Sequence, residues 1–187
     1  MERGDENDNA GDLIEREFED CLKGAEIGRR LSRINPAVED AETRKICSEV
    51  AWKIQGTVIQ CRHRLYDSAI ISLQLASSML VDVALIKLQG IKAENHHCRM
   101  VCIRKFLPEV EKSYNRIMEM KTDAAYVKGS EQDRQVVENK TGHVKRLVEK
   151  LGQYSGERWS IDLDFDAPGF RLVMGGAEVK APTELLH

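Results

Sequence analysis

The chain has 187 residues, a formal charge of −3, and 42% apolar, 32% charged and 5% aromatic residues. That length suits one domain with appendages, and the scarcity of aromatics and prolines favours helices over a sandwich or barrel. A pI near 6.0 gives no overall positive field to hold nucleic acid, so binding of that kind must be local.

Residues 1–10, within MERGDENDNAGD, are acidic and polar, and disorder is expected there. The stretch lacks the apolar run of a secretory signal, and a cytoplasmic location is the expectation. Leu13, Ile14, Phe18, Leu22, Ala25 and Leu31 recur at helical spacing until Asn35-Pro36, which predicts a helix over 11–34 carrying Arg29, Arg30 and Arg33. Ile46, Val50, Ile54, Val58 and Leu65 mark one face of a second helix, 40–63.

Residues 67–89 are apolar nearly all round, which a helix tolerates when neighbours cover it on several sides. Asp82 within them is expensive in lipid, so a buried core helix is expected and no membrane role. That Asp82 is read as a paired or dimer-facing structural carboxylate, with a cleft-lining role left open. Gly90 ends the helix, and Asn95 caps a short one at 96–106. Pro108 opens another running to about 125 through Val110, Tyr114, Ile117 and Met118.

A last helix spans 130–153, with Ser130 as N-cap. Trp159, Ile161, Leu163 and Phe165 then alternate with polar residues, and DAPG turns into FRLVM. The expected class is all-α, about five to six helices with a short C-terminal β-hairpin. Residues 11–154 form the bundle, and 157–187 form the hairpin and tail.

Five cysteines, an odd number without a C-x-x-C pair, suggest reduced, mostly buried thiols. His96, His97, Cys98 and Cys102 invite a zinc reading, since Cys98 and Cys102 share a helical face. His97 falls about 100° away, and no second ligand pair has finger spacing, so no metal or other cofactor is expected. Asp162, Asp164 and Asp166 imitate a calcium loop, but Ala167 and Val173 replace its Gly and Glu, leaving carboxylates on a strand's solvent face. Arg29, Arg30 and Arg33, and Arg62, His63 and Arg64, are basic clusters able to meet phosphate or to form a solvated face. The common nucleotide-, zinc- and hydrolase-type motifs are absent.

RLYDSAIISLQLASSMLVDVALIKLQGIKAENHH, Phe106, MKTDAAY and VVENKTGHVKRLVEKL together resemble the HEPN family (higher eukaryote and prokaryote nucleotide-binding) over about 44–152. Tyr66, Asp67, Ser68, Ala69, Gly90, His97, Asp123 and Tyr126 follow the family's order. The resemblance implies an up-and-down helical bundle that forms a homodimer. It also implies a small nucleotidyltransferase partner in a toxin–antitoxin pair, or RNA-directed defence.

Active ribonucleases of that family place a His four to six residues after an Arg, and this chain has no such spacing. At the nearest equivalent place stand Lys121 and Tyr126, and a phenol of pKa about 10 is a poor general base at neutral pH. The expectation is a non-catalytic module that binds a nucleotide, RNA or a nucleotidyltransferase through His96, His97, Lys121, Asp123 and Tyr126. A divergent metal-independent ribonuclease using Lys121, Tyr126 and His96 or His97 is the alternative. An interaction protein that adds its hairpin to a partner's sheet is the third reading.

Overall fold

The computed structural model describes residues 5–24, 30–119, 131–166 and 169–181. It is a mostly helical bundle with a small C-terminal sheet, as the sequence predicts. Its helices are α1 (Asp5–Lys23), α2 (Glu39–Arg62), α3 (Tyr66–Gln89), α4 (His96–Phe106), α5 (Glu111–Met118) and α6 (Glu131–Ser155). Strands β1 (Leu31–Arg33) and β2 (Ile91–Ala93) form one antiparallel pair. β3 (Ser160–Asp164), β4 (Gly169–Met174) and β5 (Ala177–Val179) form an antiparallel three-stranded sheet in sequence order.

α3 is the central helix. Leu73, Ala76, Leu80 and every residue from Val81 to Ile86 are buried, under α2, α6, α5, α4 and β2. By length and composition it could cross a membrane, and here it is the core of the bundle. α2 lays Ile46, Val50, Ile54 and Val58 against it, the stripe read from the sequence, and α6 adds Val144, Leu147, Val148 and Leu151. Full burial of each such side chain contributes about 1.5–3 kcal/mol.

Gly90, at φ 62°, closes α3 in the left-handed conformation with its N–H on the Ile86 carbonyl. Gly152 is a second enforced glycine. A Cβ there would lie 2.8 Å from the Glu157 carbonyl oxygen and 2.9 Å from the Trp159 nitrogen, where the chain folds back from α6 toward β3.

Several boundaries differ from the sequence expectation. α1 begins at Asp5, inside the stretch expected to be disordered; no proline interrupts residues 5–23. It stops at Lys23, where Gly24 takes φ 62°, instead of continuing to 34. Leu31 and Arg33 therefore sit on β1, with Leu31 paired to Ala93, and Arg30 precedes it; Arg29 lies outside the described residues. Leu65 is 54% exposed because α2 ends at Arg62 and leaves it in the turn to α3. α5 ends at Met118, well short of 125, as Glu119 leaves helical geometry at ψ 125°. The hairpin gains a third strand, since Gly175 and Gly176 both take positive φ and turn β4 into β5. Ser130 lies outside the described residues.

The expectation of five reduced thiols is corrected at two positions: Cys21 of α1 and Cys98 of α4 form a disulfide. The fold brings them together across 77 positions of sequence, a pairing that no local spacing encodes. Around it Phe18 and Phe106 pack edge to face at 5.3 Å, and Lys105 ion-pairs with Glu15 while lying over the Phe18 ring. Cys47, Cys61 and Cys102 stay as buried thiols.

Non-reducing peptide mapping should recover Cys21 linked to Cys98, and reductant or Cys21→Ser should lower unfolding free energy by about 2–4 kcal/mol. A urea midpoint indifferent to reductant would show that the bond does not hold α1.

Candidate functional site

The most elaborate polar arrangement among the described residues lies where α4 and α5 cross α3. Asn95 starts α4, its Oδ1 accepting the Cys98 N–H at 2.9 Å as the sequence predicts. That start sets Arg99 on the face toward α3. Arg99 Nε donates to Asp82 Oδ1 at 2.9 Å, and Nη2 donates to Oδ2 at 2.7 Å and to the Ala93 carbonyl at 2.9 Å. Asp82 is 4% exposed, so the reading of a paired structural carboxylate holds.

Burial pushes the Asp82 carboxyl upward, opposed by the Arg99 fork. Burial also works against the Arg99 cation, but the hydrogen bonds and charge of Asp82 overcome it and hold the guanidinium charged. Tyr114 of α5 is wholly buried. Its Oη lies 3.1 Å from Ser78 Oγ and 3.4 Å from His96 Nδ1, with the two rings stacked at 5.8 Å. Burial raises the Tyr114 phenol further, despite the nearby Arg99, so it stays protonated at neutral pH. Burial, then Arg99 and His97, lower the His96 imidazole.

His96 therefore joins this network, and His97 is half-buried beside it at the α4 start. Lys121, Asp123 and Tyr126, the other expected site residues, lie outside the described residues. Cys98 cannot pair with Cys102 as a metal ligand because its sulfur is bonded to Cys21. No group of three or more His, Cys, Asp or Glu able to hold a metal occurs among the described residues. Burial pushes Cys102 up to about 12 and Cys47 up to about 11, so neither is an activated thiolate. Asp162 and Asp166 pair with Lys145 and Arg134 at 2.7 Å each, and the Asp164 carboxylate accepts the Asp166 N–H.

A second cluster was not found from the sequence. Lys140 of α6 is 7% exposed, and its Nζ donates to the carbonyls of Arg116, Ile117 and Glu119 at 3.0, 2.9 and 2.7 Å. Gln74 Nε2 donates to Ile117 and Met118 from the other side. Together they fix the end of α5, and with it the point where the chain enters the segment holding Lys121 and Tyr126. The lysine's signal was its position in the apolar stripe of α6, between Val137 and Val144. Near it Arg146 Nη2 meets His143 Nδ1 at 3.0 Å. Burial first, then Arg146, Arg116 and Lys140, lower the His143 imidazole, with only Glu119 opposing. Arg116 and Arg146 thus stand beside His143 on the α5–α6 face, with Arg116 paired to Glu119 and Lys140 taken up by the carbonyls at the end of α5.

No known protein family, curated protein or solved structure matches the chain.

Arg99→Met should cost about 3–5 kcal/mol by leaving Asp82 buried and unpaired, while Asp82→Leu with Arg99→Met should recover most of that loss. A double-mutant cycle in urea measures the coupling, and additive losses would refute it. For His96, the folded value lies below the ordinary 6.5, so on acidification the unfolded chain takes up the proton first. Its contribution to stability is present above pH 6.5 and lost as pH falls toward the folded value. Urea midpoints between pH 8 and pH 5 should fall less in His96→Gln than in the unaltered chain.

Proposed function

We propose that this chain is a non-catalytic binding module of the HEPN type that takes a phosphate-bearing ligand, a nucleotide or RNA, at the α5–α6 face. The observation that carries the reading is the pair of guanidinium groups, Arg116 and Arg146, close enough to His143 to add to the lowering that burial begins, in a chain of net charge −3. Guanidinium groups suit phosphate by their planar fork, and Arg146 forms no ion pair among the described residues. The adjoining segment carries Lys121, Asp123 and Tyr126, and it departs from the α5 end that Lys140 holds.

Binding is favoured over chemistry by the state of the reactive groups. Arg99 is committed to Asp82, Tyr114 is held protonated, and the Cys47 and Cys102 thiols are raised. General acid–base or nucleophilic work needs groups poised near the operating pH.

Fluorescence anisotropy with a labelled mixed-sequence single-stranded RNA, and with ATP as competitor, tests this. Affinity should fall with salt, and Arg146→Ser should reduce the log–log salt slope by about 1. His97→Ala should weaken binding if the α4 start borders the ligand. Neither RNA nor ATP bound at low salt would overturn the proposal, and RNA cleavage by the purified chain would return the ribonuclease alternative.

A further inference from the structure

The β1–β2 ribbon carries an arginine where its own pattern calls for an apolar residue. Leu31 pairs with Ala93 and Arg33 with Ile91, so these four side chains share one face of the ribbon. Leu31, Ile91 and Ala93 are buried there. Arg33 is exposed, because at its end of the ribbon that face meets a cleft of about 640 Å³ instead of packed side chains.

That volume falls within the roughly 300–1,000 Å³ of small-molecule sites. The apolar walls come from separate elements: Phe18 and Leu22 from α1, Phe106 from the end of α4, and Ile34 from the chain after β1. Each is fixed by a contact of its own. Phe18 packs edge to face on Phe106, and Cys21, between Phe18 and Leu22, ties α1 to α4 through Cys98. The Ile34 N–H donates to the Gly90 carbonyl at 2.8 Å. The cleft is thus a standing feature of the fold, formed before any ligand arrives.

The polar groups of the cleft select its occupant. Among the described residues Arg33 is the one charged side chain that lines it, and Arg33 forms no ion pair with any of them. Lys105, which lies over the Phe18 and Phe106 rings, is already paired with Glu15. Asn35 uses its Oδ1 to accept the Ala37 N–H, which leaves its amide nitrogen as a donor, and Gln89 adds a second exposed amide. A single guanidinium fork matches one carboxylate with two parallel hydrogen bonds. A phosphomonoester, at about −1.5 to −2 charge, would exceed what one arginine neutralises.

We propose that the cleft between α1, β1 and the end of α4 binds a small amphipathic monocarboxylate, its carboxylate on Arg33 and its hydrocarbon body against Phe18, Leu22, Ile34 and Phe106. The anion accounts for an unpaired arginine on the inward face of the ribbon, and the hydrocarbon accounts for the apolar walls. The cleft shares no residue with the α5–α6 face, and this proposal stands apart from the phosphate reading.

Proton–nitrogen NMR of the full chain, disulfide intact, titrated with octanoate, octanol or octyl phosphate, tests this. Octanoate should bind saturably with a Kd on the order of 0.1–1 mM, octanol about fivefold or more weaker. The shifted amides should cluster at residues 33–35, 89–91 and 106. Arg33→Gln should abolish the preference for the acid over the alcohol, and Gln89→Trp, which fills the cleft, should abolish binding of both. Both substitutions replace exposed side chains, and the spectrum of each free variant reports its fold. The proposal is overturned by the absence of saturable octanoate shifts, by shifts confined to another part of the molecule, or by a preference for the acid that survives Arg33→Gln. Tighter binding of octyl phosphate than of octanoate would overturn the carboxylate assignment. None of these outcomes depends on whether RNA or ATP binds at the α5–α6 face.

Discussion

Asp82 is buried in a helix whose neighbours from Val81 to Ile86 are all buried, and the position of α4 follows from the need to compensate it. A lone carboxylate there would cost several kcal/mol. Arg99 meets both its oxygens, and the same guanidinium takes the Ala93 carbonyl at the end of β2. One side chain thereby ties the core helix, the start of α4 and the strand between them. β2 in turn pairs with β1, and Cys98, the residue before Arg99, is bonded to Cys21 of α1. The ion pair need not add net stability over an apolar substitute. What it supplies is register, because only one rotation of α4 satisfies both carboxylate oxygens, and that rotation carries His96 onto Tyr114.

Lys140 solves the opposite problem with the same economy. It is a buried cation whose hydrogen bonds go to the last carbonyls of α5, where the helix dipole is negative. Burial lowers its pKa, and three carbonyl acceptors compensate. Capping α5 in this way consumes one positive charge internally while leaving Arg116, His143 and Arg146 near the surface. The exposed charge on that face is thus left to Arg116 and Arg146.

The pattern of what could be read from sequence follows from the range of each interaction. Gly90 and Asn95 act through backbone conformation and a hydrogen bond three residues away, so both were legible, as was the four-step stripe of α2. Leu31 fitted a helical spacing yet belongs to a strand, because pairing with Ala93 and the break at Gly24 override periodicity. Cys21 with Cys98, Arg99 with Asp82 and Lys140 with α5 are encounters between elements. Residue types hinted that Asp82 needed a partner, but not which cation would reach it. Of the expected site residues, His96 and His97 fall beside the Asp82–Arg99–Tyr114 network, a position that the cap at Asn95 made readable in part.

Ile71, Leu75, Ser78 and Asp82 follow one line along α3, spaced four, three and four residues apart, and their burial changes along it. Ile71 and Leu75 are exposed, Ser78 is half-buried against Tyr114, and Asp82 is buried under Arg99. The residue types are suited to this gradient. Polar groups occupy the covered end, where α4 and α5 supply partners, and apolar groups occupy the uncovered end. In a chain folded alone that arrangement is inverted relative to the usual rule of apolar inside and polar outside. Ser78 and Asp82 have their hydrogen bonds, and Ile71 and Leu75 stay open to solvent where α5 does not reach. The length of α5 decides where the change occurs: the helix stops at Met118, held by Gln74 and Lys140, and Leu75 is the next residue of α3 after Gln74.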